Sequence, residues 1–212
     1  MNEIKKSTYI DLRGLAFFRM AFGALIFYLL MVRLPELRTF YTDWGTLPRD
    51  VVLQNHFNQW SWSLYLLSGN IVIVSFLYSL HLIINFLFFL GFRTRLMTIL
   101  NWVFLFSLFQ RHVMILHGGD DLIKLMLFMS IFLPLGARYS VDSFLLDKDE
   151  RPSDNTYYSL ASFGFILQLS CMYFFTGLLK DSPVYTKDGT AIWYTLQLER
   201  FITPFGAMFK SF

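Results

Sequence analysis

The chain has 212 residues, of which 55% are hydrophobic, 19% aromatic and only 16% charged, and its formal net charge is +3. Soluble domains are about a quarter charged, so this composition excludes an ordinary water-soluble domain. It also excludes a disordered chain, because disorder requires few aromatic residues and a high net charge. Lys and Arg occur singly or in pairs, without the basic stripe that would predict a nucleic-acid partner.

A helix that crosses the hydrocarbon core of a bilayer needs about 20 mostly apolar residues. Five runs approach that length, at residues 14–32, 71–92, 96–116, 122–136 and 159–179. A sixth run, 191–209, is interrupted by Glu199, Arg200 and Pro204, which predicts an interfacial or partly buried helix. We therefore predict an all-α fold: a polytopic integral membrane helix bundle of about five spanning helices plus a C-terminal interfacial helix.

Loop charges predict the orientation of these spans. With the N-terminus in the cytoplasm, the loops on that side hold eight Lys and Arg residues and the opposite loops hold six. The positive-inside rule therefore favours a cytoplasmic N-terminus and a multi-pass topology. Neither an internal repeat nor a linker divides the sequence, which predicts one transmembrane domain over residues 1–212.

Arg19 is an ionisable residue in the middle of the first run, where burial in lipid is costly. It shares a helix face with Ala16 and Gly23, whose small side chains permit close packing of a neighbouring helix. Two interpretations are open: a structural arginine that holds a carboxylate or carbonyl, and a contact to an anion or lipid headgroup.

The second run carries a polar stripe of Tyr78, His81 and Asn85, spaced at i, i+3 and i+7. Hydrogen bonds between helices explain this stripe, and so does the wall of a cavity in which His81 is the titratable member. Lys124 follows Asp120 and Asp121 at helical spacing, which predicts a buried lysine in an internal ion pair.

The first, third and fifth connections of such a bundle open on the same side, because successive spans alternate in direction. Carboxylates, imidazoles and amines concentrate in these three connections, which contain Asp43-Trp44-Gly45-Thr46-Leu47-Pro48, His117-Gly118-Gly119-Asp120-Asp121, and Lys180-Asp181 with Lys187-Asp188-Gly189-Thr190. Each motif alone is also typical of a turn or a helix cap. Their shared side predicts a polar cavity at the outer end of the bundle.

Six motifs, taken in chain order, resemble those of one known family. They are Asp43-Trp44-Gly45-Thr46-Leu47-Pro48, Leu90-Gly91-Phe92-Arg93-Thr94-Arg95-Leu96, Arg111 with His117-Gly118-Gly119-Asp120, Leu135-Gly136-Ala137-Arg138-Tyr139-Ser140-Val141-Asp142, Tyr173-Phe174-Phe175-Thr176-Gly177-Leu178-Leu179-Lys180 and Asp188-Gly189-Thr190-Ala191. From about residue 12 to residue 205, the chain resembles the HTTM family, the bacterial transmembrane domain related to vitamin K-dependent gamma-carboxylase. The resemblance implies a bacterial inner-membrane protein. It also implies an HTTM-like domain that is shortened at its C-terminus.

The resemblance further implies a chemistry. In the carboxylase branch, a lysine after the Tyr-Phe-x-x-Gly segment deprotonates a reduced quinone, whose oxygenation yields the base that acts on a peptide glutamate. Lys180 matches that lysine and is the candidate catalytic base, with a snorkelling helix-end cation as the alternative. Residues assigned to substrate binding are Asp43, Trp44, His81, Arg111, His117, Asp120, Tyr173 and Asp188, and those assigned to buried structural roles are Arg19, Asn85 and Lys124.

Two functions follow from these patterns. The first is a membrane protein whose outer polar cavity binds, and in a further step oxidises, a quinone-like lipidic molecule, with a reduced quinone as its cofactor. The alternative is a non-enzymatic membrane factor that matures a peptide toxin, exports it or confers resistance to it, with a peptide or protein partner. His112 and His117 flank a turn, and with one cysteine in the chain we predict no metal site.

Overall fold

The computed structural model describes residues 9–55, 61–147 and 152–197 and is mostly helical. Its helices are α1 (Leu12–Arg33), α2 (Leu37–Tyr41), α3 (Arg49–Asn55), α4 (Ile71–Leu90), α5 (Thr94–Arg111), α6 (Gly118–Ser130), α7 (Val141–Leu145), α8 (Leu160–Leu178), α9 (Pro183–Thr186) and α10 (Ala191–Gln197). Short 3-10 turns lie at Leu34–Glu36, Leu64–Leu66 and Val113–Ile115. Two short strands, β1 (Ile10–Asp11) and β2 (Thr156–Tyr157), pair antiparallel, with Ile10 opposite Tyr157.

The chain divides into two compact units, Met1–Phe165 and Ile166–Phe212. In the first unit, α1 packs against α4, α4 against α5, and α5 against α6. The interior between these helices contains large apolar side chains that are almost fully buried, among them Ile26, Leu30, Phe88, Leu105 and Leu127.

Local sequence explains where the long helices begin and end. Asp11 caps α1 by accepting a hydrogen bond from the Arg13 amide, and Asn70 caps α4 by accepting one from the Val72 amide. Helix α4 ends at Gly91, whose φ of +74° belongs to the left-handed region that glycine adopts without strain. The next helix, α5, begins only three residues later, so α4 and α5 form a tight helical hairpin.

Three helical segments are long and apolar enough to cross a membrane: Leu12–Tyr41, Ile71–Leu90 and Leu160–Leu178, among the described residues. They contain the predicted runs 14–32, 71–92 and 159–179 almost completely. Their outward faces present large apolar side chains such as Phe17, Tyr28, Val72 and Phe76. An exposed apolar surface of this extent is typical of a protein that contacts lipid, because soluble monomers cover such patches.

The other two predicted spans form shorter helices. The run 96–116 forms α5, of 18 residues, which carries Arg95, Asn101 and Arg111. The run 122–136 forms α6, of 13 residues, and at 1.5 Å per residue this helix is about 20 Å long, less than the hydrocarbon thickness. It stops before Pro134, because proline cannot donate the next helical hydrogen bond and restricts the residue before it. The bundle of about five spans therefore stays a prediction.

Two helices begin earlier than the predicted runs 96–116 and 122–136 do. Gly118 and Gly119 lie in the first turn of α6, because the preceding histidine and Asp120 form a capping box there. Between α4 and α5, Thr94 and Arg95 belong to α5, and only Arg93 lies outside it, at a φ of +41°. The predicted C-terminal helix begins at Ala191, and its disrupting residues Glu199, Arg200 and Pro204 lie outside the described part of the chain.

Candidate functional site

The first connection folds back onto α2 after Tyr41. The Thr46 amide donates to the Thr39 carbonyl, and the Gly45 amide donates to the Thr42 carbonyl. A side chain at Gly45 would overlap the Thr39 carbonyl, so this turn requires glycine. The result is a loop whose carbonyls at Thr42 and Leu47 point back toward the helices.

Arg111, at the last position of α5, binds this loop from inside. Its side chain is fully buried, and it donates from Nη1 to the Leu47 carbonyl at 2.9 Å and from Nη2 to the Thr42 carbonyl at 3.3 Å. A cation is favoured there, because the C-terminal end of a helix carries partial negative charge. The Arg111 Nε–H is buried and lacks a hydrogen-bond partner among the described residues.

Asp43 and Arg49 form an ion pair in the same loop, with Arg49 Nη2 at 2.8 Å from Asp43 Oδ2. Hydrogen bonds from the Arg49 side chain hold the pKa of the Asp43 carboxyl below its usual range. Gly69 packs directly on this carboxylate, since a side chain there would overlap it. A cavity of about 370 Å³ adjoins the pair and is lined by Asp43, Trp44, Arg49 and the segment 68–71.

Asp120 is a fully buried carboxylate held by two other elements of the first unit. Arg33, at the end of α1, donates to Asp120 Oδ1 at 2.9 Å, and the His117 amide donates to Asp120 Oδ2 at 3.1 Å. The Arg33 guanidinium also lies over the Phe109 ring, 5.0 Å from its centroid. Its Nη1 is buried and has no hydrogen-bond partner among the described residues.

Tyr41 connects these groups. Its side chain is buried and lies within electrostatic range of Arg33, Asp120 and Arg111. Arg111 is in turn within electrostatic range of Asp43. The structure thus brings the first and third connections together, and we call the group Arg33, Tyr41, Asp43, Arg111 and Asp120 the mouth cluster.

Sequence reasoning assigned Asp43, Arg111 and Asp120 to the site but missed Arg33 and Tyr41. Arg33 stands beside Leu34 and Pro35, a setting typical of a loop charge that sets membrane topology. Tyr41 lies in the long connection 33–70, where an aromatic residue is normally exposed. The sequence did not indicate that α1 continues through a 3-10 turn into α2. This continuation turns both residues inward.

Two other residues predicted for this site, Trp44 and His117, have more exposed side chains than the buried groups. Trp44 is 88% exposed, although it lines the Asp43 cavity. The His117 side chain is 60% exposed and caps α6 through Nδ1, which accepts from the Gly119 amide. His112 Nε2 lies 3.3 Å from the Thr46 hydroxyl. Among the described residues, no group of three His, Cys, Asp or Glu side chains could hold a metal ion.

His81 lies in the middle of the bundle, in a chain of amide contacts between three helices. His81 Nε2 is 3.0 Å from Asn101 Oδ1, and Asn101 Nδ2 donates to Asn85 Oδ1 at 2.9 Å. Asn85 Nδ2 then donates to the Gly23 carbonyl of α1 at 3.0 Å. All three side chains are fully buried, and we call His81, Asn101, Asn85 and Gly23 the amide chain. Tyr78, one turn earlier on α4, donates to the Leu30 carbonyl of α1.

Arg19 is fully buried at the opposite end of α1. It donates from Nη1 to the Leu135 carbonyl at 2.8 Å and from Nη2 to the Tyr139 carbonyl at 2.6 Å. Asp142 accepts from the Arg93 and Thr94 amides and thereby caps α5. We call Arg19, Gly91, Thr94, Tyr139 and Asp142 the Arg19 cluster.

Lys124 does not have the buried position predicted for it. Its side chain is 23% exposed and pairs with Asp121, at 2.6 Å. Asp120, the other predicted partner, binds Arg33 instead. The reason is helical geometry: Asp120 faces the interior of the first unit, whereas Asp121 and Lys124 occupy an adjacent, partly solvent-exposed stripe of α6.

The second unit contains the predicted catalytic residue, Lys180, and the predicted binding residues Tyr173 and Asp188. Tyr173 is 73% exposed, and Asp188 and Lys180 are exposed as well. Helix α8 ends at Leu178, and the Lys180 ammonium lies 5.7 Å from the centre of the Tyr185 ring. This geometry is that of a cation at a helix end beside an aromatic ring.

Comparison with known proteins adds no assignment to this geometry. No protein-family model matches the chain, and neither a curated protein nor a solved structure matches it at a significant level.

Proposed function

We propose that this chain is a multi-pass protein of the bacterial cell membrane that binds a quinone-like lipidic molecule at the mouth cluster. The N-terminus is cytoplasmic in this proposal, and the mouth cluster faces the outer side. Three long apolar helical segments with apolar outward faces support the membrane location. The five-span topology is part of the proposal, with α5 and α6 as the two shorter spans.

The observation that carries the proposal is a surplus of donors in a buried setting. Arg33 binds the buried carboxylate of Asp120 and Arg111 binds two loop carbonyls, and each arginine keeps a buried N–H without a partner among the described residues. Buried donors of this kind cost free energy unless an acceptor reaches them. A ligand that supplies acceptor oxygens at the mouth therefore stabilises the site.

Quinones fit this requirement and the surroundings. Their ring carbonyls accept hydrogen bonds, and their apolar tails dissolve in the lipid that contacts α1 and α4. The sequence resemblance to HTTM domains also favours a quinone. An anionic lipid headgroup offers acceptor oxygens as well, so the experiment must separate these two sources.

Binding is tested with the purified protein in nanodiscs of phosphatidylcholine. Small molecules that co-purify are identified by mass spectrometry, and a short-chain menaquinone is then titrated into the nanodiscs. We expect saturable binding to the wild type, weakened about tenfold in Arg111→Lys and Arg33→Lys, because a lysine ammonium cannot replace the fork of guanidinium donors. Arg38→Lys is the matched control, since Arg38 is exposed.

Three results decide this test. Menaquinone binding that is equal in all four proteins, or absent from each, contradicts the proposal. Displacement of menaquinone by nanodiscs rich in phosphatidylglycerol, with no quinone retained on purification, assigns the donors to a lipid headgroup instead.

Oxidation of the bound quinone is a separate step of the proposal. The resemblance assigns the base to Lys180, whereas the binding groups Arg33 and Arg111 lie in the other unit. A Lys180→Ala variant that still binds the reduced form, menaquinol, but no longer supports its two-electron oxidation by oxygen to menaquinone and hydrogen peroxide would agree with that assignment. A variant that retains both properties leaves Lys180 as a helix-end cation.

A further inference from the structure

Another open cavity lies beside the Arg19 cluster, in the segment that leads into α7. Its volume is about 490 Å³. It is lined by Arg138, Tyr139, Ser140, Val141, Ser143 and Phe144, and we call it the Arg138 cavity. The mouth cluster lies at the other end of α1, so the proposed quinone site does not account for this cavity.

Hydrogen bonds fix α7 at the end of a membrane-spanning helix. Helix α4 has 20 residues, which at 1.5 Å per residue gives about 30 Å, the thickness of the hydrocarbon core. Its end at Gly91 therefore lies at one surface of the bilayer. The Asp142 amide of α7 donates to the Gly91 carbonyl at 3.0 Å, and the Asp142 carboxylate accepts from the Arg93 amide at 2.6 Å. The Arg138 cavity is consequently at the depth of the lipid headgroups.

Tyr139 connects this cavity to the outward face of α1. Its backbone has a φ of +45°, in the left-handed region that a bulky residue rarely adopts. Arg19 Nη2 donates to its carbonyl at 2.6 Å and holds that conformation from inside. The Tyr139 ring is 57% exposed and lies 5.6 Å from the ring of Phe17, which belongs to the apolar outward face of α1. The Arg138 cavity is therefore continuous with the surface that contacts lipid.

Arg138 supplies the charge of the cavity. Its Nε donates to Asn155 Oδ1 at 2.9 Å, and its Nη2 donates to the Pro152 carbonyl at 2.5 Å. Both acceptors are neutral, and Arg138 forms no ion pair within the described part of the chain. The hydroxyls of Ser140 and Ser143 already donate to backbone carbonyls. The cavity thus contains a positioned guanidinium without a counter-anion.

We propose that the Arg138 cavity binds one phospholipid of the adjoining leaflet, with its phosphate at Arg138 and an acyl chain along Tyr139 and Phe17. The planar guanidinium matches phosphate oxygens, and the phosphate supplies the anion that Arg138 lacks. The apolar side chains that line the cavity, such as Val141, suit the glycerol backbone and the first methylene groups of the chains. This inference rests on the membrane location in the proposed function and is independent of quinone binding.

Native mass spectrometry of the purified full chain in detergent tests the site. Palmitoyl-oleoyl phosphatidylglycerol is titrated, and the dissociation constant of the first bound lipid is measured. We expect Arg138→Gln to weaken this binding about tenfold, because glutamine removes the charge that faces the phosphate. Arg95→Gln is the matched control and should change binding little, since Arg95 is an exposed arginine near the same turn that does not line the cavity.

A second substitution fills the cavity without changing its charge. Val141→Trp places a larger apolar side chain in the space that the lipid needs, so it should also weaken binding. Val72→Trp is its control, because Val72 is an exposed valine on α4, outside the cavity. Glycerol phosphate, which has the phosphate but no acyl chain, should not displace the lipid at equal concentration.

Three results would overturn the phospholipid site. They are unchanged binding in both Arg138→Gln and Val141→Trp, equal losses in Arg138→Gln and Arg95→Gln, and displacement of the lipid by glycerol phosphate, which would assign Arg138 to a soluble anion. If the wild type inserts into nanodiscs and binds menaquinone but its lipid affinity does not depend on Arg138, only this inference fails. If the wild type does not insert into a bilayer, the membrane location itself is wrong and the proposed function fails with it.

Discussion

Buried arginines occur at both ends of the first unit, but their hydrogen-bond networks differ. In the Arg19 cluster, the guanidinium is held by two carbonyls at 2.6 and 2.8 Å, and Asp142 caps α5 beside it. In the mouth cluster, Arg111 reaches its carbonyls at 2.9 and 3.3 Å. Arg33 also binds there, and each of the three arginines leaves one buried N–H unpaired among the described residues: Arg19 Nε, Arg33 Nη1 and Arg111 Nε.

This difference in hydrogen-bond length predicts that Arg19 contributes more to the stability of the fold than Arg111 does. The Arg19 cluster joins α1 to the turn after α4 and to the segment before α7, so its loss should unfold the unit. The mouth cluster also links elements, but the second hydrogen bond of Arg111 is long, at 3.3 Å. Substitutions should therefore act on stability at the first end and on ligand binding at the second.

The largest expected effect is at Gly91. A Cβ there would lie 2.5 Å from the Ser140 Cβ and 2.6 Å from Arg19 Nη1, at a φ of +74°. Gly91→Ala should lower the free energy of unfolding in detergent by about 3 kcal/mol, from backbone strain and overpacking together. Gly118→Ala is the control, since its Cβ would meet nothing within 4 Å. Equal stability of the two variants would refute the tight contact at Gly91.

Lysine substitution compares the two ends directly. Arg19→Lys should cost about 2 kcal/mol, because one ammonium cannot donate along both guanidinium directions to the Leu135 and Tyr139 carbonyls. Arg111→Lys should cost about half as much, since its second hydrogen bond is long, while weakening menaquinone binding. The measurement is denaturant unfolding of both variants beside the menaquinone titration. The comparison fails if Arg111→Lys is the less stable of the two.

Asp142 provides a smaller effect at the Arg19 end. Its carboxylate accepts from the Arg93 amide at 2.6 Å and from the Thr94 amide at 2.7 Å, and thus caps a helix from another segment. Asp142→Asn should lower the unfolding free energy by about 1 kcal/mol, because a charge-assisted cap becomes a neutral one. Asp147→Asn, at an exposed position, should change stability little, and a similar loss in both variants would speak against the cap.

The smallest expected effect is the pH dependence of the Asp43 ion pair. Its folded-state pKa lies below the ordinary value, so its contribution is fully present above the unfolded-state pKa and is lost as pH falls through the folded-state value. Because both side chains are about one-third exposed, we expect less than about 1 kcal/mol. Unfolding of the wild type and Asp43→Asn, compared from neutral pH to below pH 4, should show a difference that shrinks with acid. A difference that grows would contradict the sign.

Helix positions were more predictable than helix lengths. The runs at 14–32 and 71–92 correspond to α1 and α4 within a few residues, because a bilayer imposes a minimum apolar length that the sequence displays. The run at 122–136 could not be read in this way. Its helix begins at a cap formed by His117 and Asp120 and ends before Pro134, so its apolar residues divide between a helix and a turn.

The candidate site was predictable in its residue types and only partly in its members. Alternation of spans indicated that the first and third connections meet, and the structure brings Thr42 and Leu47 to Arg111. The alternation of spans could not indicate Arg33, because the inward position of Arg33 depends on the turn that follows α1. For Lys180, the family resemblance implied a catalytic base, with a helix-end cation as the alternative, whereas its place beside the Tyr185 ring is a property of the folded segment.

By itself, the sequence determined that this chain is helical, apolar on its long segments and polar at a few positions within them, because apolar length and helical spacing are local properties of the chain. Tertiary structure alone decided which of those polar groups are satisfied. Hydrogen bonds such as those from Arg19 to Tyr139 join residues 120 positions apart. Such bonds depend on how helices pack, since a donor finds its acceptor only when both elements are in place.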